Sequence, residues 1–431
     1  MNPRPPAIAF ILVTLFLDIL GIGLLIPILP KLIEQLSGGN VAAASATFGA
    51  LAALYSAMQF LCSPLLGSLS DRFGRRPVIL FSLLGSGLDY LLLAWAPTLP
   101  WFFLGRIISG VTGASITAAS AYIADVSPPE KRAQNFGLIG AAFGLGFIAG
   151  PVLGGVLGNV GLRVPFYVAA GLTLVNWLYG LFVLPESLPV GQRRAFSWAR
   201  ANPVGSLLAL RRYPIVLSLT ATFFLIHTAH NGVHSTWVLY TSHRYGWDTR
   251  AVGLSLALVG LMAMIVQGGL VRVIVPKLGE RRAILFGLSL SACVLTGYGL
   301  ATQGWMIYAI LVVGSLGMVS GPAAQGLISR QVPLNEQGAV QGALASLGSL
   351  SGIVGPPIAA SLFGYFISAR APFYLPGAAF FVSAAMMVSA LVLAVRAFRR
   401  HPAAPPPVSP AIPAAAGETG VSAGDKVSKT G

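Results

Sequence analysis

Charge is what this sequence has least of. Only 9% of its 431 residues are Asp, Glu, Lys or Arg, against roughly 25% in a soluble domain, while 55% are hydrophobic. That balance excludes an ordinary water-soluble fold. Acids are scarcer still, 12 against 27 Lys and Arg, for a formal net charge of +15. Cysteine is limited to Cys62 and Cys293, both inside apolar runs, so a disulfide framework is excluded and neither thiol is given a redox role. No stretch between apolar runs is long enough for a basic, aromatic-interleaved domain, which excludes nucleic acid as a partner. The loops hold only short basic clusters, which leaves a membrane-embedded enzyme as a distant alternative.

What the chain has instead is long apolar runs. A bilayer-spanning helix takes about 20 apolar residues, and twelve such runs are found: Ala7 to Leu29, Thr47 to Leu66, then 77 to 96, 101 to 124, 136 to 157, 165 to 184, 215 to 239, 251 to 275, 283 to 301, 304 to 328, 341 to 366 and 374 to 396. The first is too long for a signal-peptide core and contains Asp18, so it is read as a retained helix. Placing Lys and Arg on the connections gives 18 on the N-terminal side and its even loops, against five on the other: Lys31, Arg163, Arg244, Arg250 and Arg370. Positive charge stays inside. The expected fold is therefore all-α and integral to a cell membrane, with 12 transmembrane helices and both termini cytoplasmic.

The longest connection, Pro185 to Pro214, divides the runs into two sets of six. The expected organisation is an N-terminal six-helix bundle over 1–184, a cytoplasmic basic linker over 185–214, a C-terminal six-helix bundle over 215–396 and a disordered cytoplasmic tail over 397–431. Within the linker, Ala195 to Arg212 reads either as an amphipathic stretch on the membrane surface or as a plain charged connection. The two halves repeat each other. GSLSDRFGRRPVILF, Gly67 to Phe81, returns as RVIVPKLGERRAILF, Arg272 to Phe286, so that Gly74 matches Gly279 at an offset of 205. The same offset carries Gly137 to Gly342, Gly150 to Gly355 and Pro151 to Pro356. A duplicated six-span unit is the build of a secondary transporter, with its site at the midplane between pseudo-symmetric halves.

Three ionisable residues lie deep in the apolar runs: Asp18, Asp89 and Arg106. Each costs roughly 2.5 to 3.5 kcal/mol at a helix centre. A buried carboxylate favours its protonated form and a nearby arginine its charged form, so relative movement of Arg106 and an acid could load and unload a proton. A permanent structural ion pair is the alternative. In HTAHNGVHSTW, His227, His230, Asn231 and His234 form one helical stripe, open to substrate contact, proton relay or a structural part. His227 and His234 are about 10 Å apart by helix rise, so no metal site is expected. Gln59, Gln267 and Gln325 add uncharged polar groups in the spans, as substrate contacts or as links between helices.

Between the second and third runs, Gly67, Asp71, Arg72, Gly74, Arg75 and Arg76 combine a tight turn with charges that can bridge helix ends, the parts of a cytoplasmic latch. GSLSDRFGRRP resembles the signature loop of the major facilitator superfamily. That resemblance implies that Asp71 faces the start of the eleventh span and that Arg75 pairs with Asp125. The spacing Gly146, Gly150, Pro151, Gly154, Gly155 permits close helix packing and is similar to the antiporter signature of that superfamily's exporters. LDILGIGLLIPILP, LAALYSAMQF, GSGLDYLLLAW, LGRIISGVTGA and TWVLYTSHRYGW resemble the tetracycline efflux proteins over residues 7 to 396. The resemblance implies proton coupling at Asp18, Asp89 and Arg106 and a substrate path past Gln59 and Gln267. Two positions depart from that pattern: Ala263 where a histidine is expected, and Ser291 where an aspartate is expected. The implied function is proton-coupled export of tetracycline-like molecules, with a metabolite or sugar transporter of the same superfamily as the alternative. No cofactor and no catalytic residue are expected, the proton gradient supplies the energy, and the protein is expected to act as a monomer on a small-molecule substrate.

Overall fold

The computed structural model describes residues 8–113, 115–127, 129–193, 196, 202, 205, 214–331 and 337–401. Most of the 185–214 connection, including the amphipathic stretch considered for it, and the tail beyond residue 401 lie outside the described residues. Among those described, all regular structure is helical: α1 Ile8–Leu25, α2 Leu29–Leu36, α3 Val41–Phe73, α4 Arg75–Trp95, α5 Leu99–Thr112, α6 Ser115–Val126, α7 Pro129–Val160, α8 Val164–Val183, α9 Pro214–Tyr245, α10 Thr249–Ile265, α11 Val271–Leu278, α12 Glu280–Leu300, α13 Gly304–Gly314, α14 Ser320–Gln331, α15 Gln337–Phe366 and α16 Ala378–Arg400. Nine of the helical stretches among the described residues are long and apolar enough to cross a bilayer. The other three expected runs fall on α5 with α6, on α7 and on α9. α5 and the apolar part of α7, Gly144–Val160, are short, and the polar stripe of α9 dilutes its hydropathy.

Helix ends follow local chemistry. The first apolar run breaks after Leu25 because Pro27 and Pro30 remove backbone donors, and α2 then continues to Leu36. Asn40 caps α3 by accepting the Ala43 N–H at 3.0 Å. Asp248 caps α10 by accepting the Ala251 N–H at 2.8 Å, a bond that holds its carboxyl below the usual carboxylate range. Gly74 joins α3 to α4 with φ 107°, and Gly279, one repeat later, joins α11 to α12 with φ 78°. Only glycine takes these conformations without strain.

Apolar packing separates along the chain. One buried cluster is built from residues between Val216 and Phe398, and two others from residues between Phe10 and Leu184. The later cluster is tied by aromatic hydroxyl and indole bonds. Tyr240 Oη donates to the Tyr298 carbonyl at 2.6 Å, and Trp237 Nε1 to Ser255 Oγ at 3.1 Å.

The two parts of the chain meet chiefly along two helix pairs, α3 with α15 and α7 with α10, with smaller contacts of α9 on α2 and α3. Their backbones touch. A Cβ at Gly49 would lie 2.7 Å from Ala360 Cβ, and one at Gly155 would lie 2.6 Å from the Thr249 carbonyl oxygen. These contacts involve the start of α3, the end of α7, the end of α15 and the start of α10, which places them at the end of the bundle that carries the α2–α3 turn.

Candidate functional site

At the level of single side chains, the apolar interior of α1, α4 and α5 encloses charge. Asp18 on α1 is 4% exposed and Asp89 on α4 is fully buried. Arg106 Nη2 on α5 lies 3.9 Å from Asp89 Oδ2. Among the described residues, neither Asp89 oxygen nor Arg106 Nε has a hydrogen-bond partner. Gly105 makes room for the acid, since a Cβ there would lie 2.7 Å from Asp89 Oδ1. The guanidinium also sits 5.7 Å from the centre of the Tyr55 ring, and the charges of Asp18, Asp89 and Arg106 all act on Tyr55 and Tyr90. The three ionisable residues singled out from sequence thus share one neighbourhood.

Gln59 lies beside them. Its Nε2 donates to Tyr55 Oη at 2.8 Å and to the Gly113 carbonyl at 3.3 Å. Tyr55 was not singled out from sequence, although its spacing of four residues from Gln59 puts both on one helix face.

On α9 the polar stripe is open. His227, His230 and His234 are exposed on a helix that is packed by α3, α15 and α16. His227 Nδ1 lies 2.8 Å from the Phe223 carbonyl. Asn231 faces α15, its Nδ2 3.7 Å from where a Gly352 Cβ would be, and Ser56 of α3 presses on the same glycine. Gln267 is exposed and falls in one turn of π-helix, Val266–Leu270, between α10 and α11. Such turns are concentrated at functional sites, and nothing in the periodicity announces this one. Gln325 falls on α14, and its side chain lies outside the described residues. Ala263 and Ser291 are half-buried, on α10 and α12.

Around Gly74, Arg75 binds two acids: Nη1 to Asp71 Oδ1 at 2.6 Å and Nε to Asp125 Oδ2 at 3.0 Å. Arg76 Nη2 donates to the Leu181 carbonyl at 2.6 Å, and the exposed Arg72 lies over the Phe73 ring. A Cβ at Gly67 would meet nothing within 4 Å. Sequence reasoning missed Glu186, which was read only as the start of the linker. Its Oε1 accepts the N–H groups of Arg75 at 2.8 Å, Ser187 at 3.0 Å and Leu188 at 3.1 Å, and its Oε2 accepts that of Arg76 at 3.3 Å. The carboxylate therefore occupies the N-terminus of α4, where the helix dipole favours negative charge. The start of α15, which Asp71 is implied to face, falls partly outside the described residues.

The glycines on α7 are contact points. Cβ atoms at Gly146 and Gly150 would lie 2.9 Å from Ile19 Cγ2 and 2.6 Å from Gly23 Cα, and Gly154 abuts the Leu24 carbonyl of α1. Gly155 faces α10, as described above. Pro151 lies inside the helix.

The fold and this buried charge cluster define a multi-pass helical membrane protein. The chain belongs to the Major Facilitator Superfamily, whose model matches residues 11–356. It is 42% identical over 357 residues to the tetracycline resistance protein, class C, of Escherichia coli, covering 83% of this chain and 89% of that protein. It is 41% identical to the class E protein of the same organism, covering 82% and 86%. The crystal structure of the human organic anion transporter MFSD10 (TETRAN) is similar at a TM-score of 0.68 and 26% identity, covering 91% of this chain and 100% of that one.

Proposed function

We propose that the protein is a secondary active transporter that exports amphipathic, aromatic molecules of the tetracycline class from the cytoplasm in exchange for protons. It acts as a monomer in a bacterial inner membrane, without cofactor or enzymatic activity. In this reading twelve spans form two six-helix bundles, over 1–184 and 215–396, with both termini and the 185–214 linker cytoplasmic. The separation of the apolar clusters and the paired glycines Gly74 and Gly279 support that division. The tetracycline resistance relatives support the substrate class.

The observation that carries the coupling is the buried Asp89, 3.9 Å from Arg106. A carboxyl shielded from water favours its neutral form, and an approaching guanidinium favours its charged form. Movement of α5 against α4 inside the first bundle, coupled to the rocking of the two bundles, changes that distance and so loads or releases a proton, with Asp18 in the same neighbourhood. Each inward proton supplies about 2.3 kcal/mol per 100 mV. The polar route for substrate is lined by Gln59, Asn231, Gln267 and the stripe of His227, His230 and His234, and Gln325 is assigned to the same route from its sequence position alone. The Arg75 cluster with Asp71, Arg72, Arg76 and Asp125 forms the cytoplasmic gate, and Gly146, Gly150, Pro151, Gly154 and Gly155 let α7 move in contact with α1 and α10.

Everted membrane vesicles test this reading. Acidifying the interior is expected to drive tetracycline uptake, and uptake indifferent to the proton gradient would contradict it. An organic-anion or metabolite exporter is the second reading, favoured by Ala263 and Ser291 and by the similarity to the organic anion transporter. Cells that express the chain separate the two: they gain tetracycline resistance on the first reading and gain none on the second.

A further inference from the structure

At the end of the bundle that carries the α2–α3 turn, a set of polar contacts joins the two parts of the chain. Lys31 Nζ, on α2, donates to the Trp247 carbonyl at 2.9 Å. The Thr249 hydroxyl lies 2.5 Å from Asn159 Oδ1 and 3.0 Å from the Gly155 carbonyl, and Asn159 Nδ2 lies 3.4 Å from Asp248 Oδ2. The acceptor for Lys31 is held in place. The Trp247 ring packs in tilted contact with Tyr308, centroids 5.2 Å apart, and with Tyr245, 5.8 Å apart, and Gly304 leaves it room, since a Cβ there would lie 2.7 Å from Trp247 Nε1. Burial opposes the charge on Lys31, and the neighbouring Asp248 and Glu34 favour it. An ammonium that donates from a half-buried position makes a stronger bond than a neutral donor.

We propose that Lys31, Asn159 and Thr249 are the external latch of the transport cycle: they hold the exit shut while the cytoplasmic side is open, and their bonds break when substrate leaves. The assignment of this end as external rests on the transporter reading above. Every one of these bonds runs between residues 31–159 and residues 247–249, so each exists only while the two parts are together at this end. Contacts made in one state alone set its population. The glycine contacts of α7 with α10 allow the approach, and the polar bonds supply its direction and its release. Lys31 entered the sequence reading only as one of five basic residues on the non-cytoplasmic side.

Spin labels at Gln35→Cys and Thr302→Cys, in a chain carrying Cys62→Ser and Cys293→Ser, report the opening of this end in nanodiscs without substrate or proton gradient. The parent chain is expected to give one short distance. Lys31→Met, and separately Asn159→Ala with Thr249→Val, are expected to add a longer distance, with the closed-to-open ratio falling about tenfold. Lys31→Arg keeps a donor and is expected to match the parent. If one variant fails to fold, the other decides. Distance distributions unchanged from the parent in the variants that fold overturn the latch. Because the measurement reads conformation and not transport, a latch that responds in a protein without proton-driven uptake leaves the latch standing and removes the antiport reading.

Discussion

Gly74 shows how much one residue carries. Its φ of 107° is costly for any L side chain, about 1 to 3 kcal/mol, and a Cβ would collide with the Glu186 carboxylate that caps α4. Gly279 has a similar φ of 78° but nothing within 4 Å. Gly74→Ala is therefore expected to lower the thermal midpoint of the purified protein more than Gly279→Ala does; equal shifts would show that the Glu186 contact contributes nothing. Asp18, Asp89 and Arg106 were legible in the sequence because charge inside an apolar run is expensive. Glu186 was not, since a single acid in a basic connection gives no sign that four backbone N–H groups converge on it. Tyr55 was hidden for a related reason: an aromatic residue in a membrane helix is unremarked until a guanidinium is found above its ring.

Among the helices, α7 tests whether its glycines serve close approach. A Cβ at Gly150 would meet Gly23 Cα, whereas one at Gly144 would meet nothing within 4 Å. Gly150→Ala is expected to cost roughly 1 to 3 kcal/mol, the range for overpacking, and to reduce uptake in everted vesicles, while Gly144→Ala leaves both unchanged. A neutral Gly150→Ala would show that α1 and α7 can separate freely. Helix existence was written in the apolar runs, but their ends were less so. The break at Pro27 and Pro30 and the extension of α3 from Thr47 back to Val41 depend on prolines and on the Asn40 cap, which hydropathy does not weigh. The π-helical turn at Gln267 has no periodic signature, because one extra residue per turn alters the register only locally.

For the whole molecule, the asymmetry of charge is the main result. The duplicated turns share a glycine geometry, yet among the described residues the buried Asp89–Arg106 pair lies between α4 and α5, with Asp18 on α1. The 205-residue offset made the duplication legible, but it could not show that the two parts close on each other at one end, because that contact depends on conformation and on backbone approach. Coupling through Asp89 is the central claim, and one comparison tests it most directly. In everted vesicles, Asp89→Asn is expected to lower proton-driven tetracycline accumulation on the order of 100-fold, the low end of what a positioned proton carrier contributes. Exchange of labelled for unlabelled substrate at equilibrium should persist. Accumulation by Asp89→Asn at the parent rate would contradict the account.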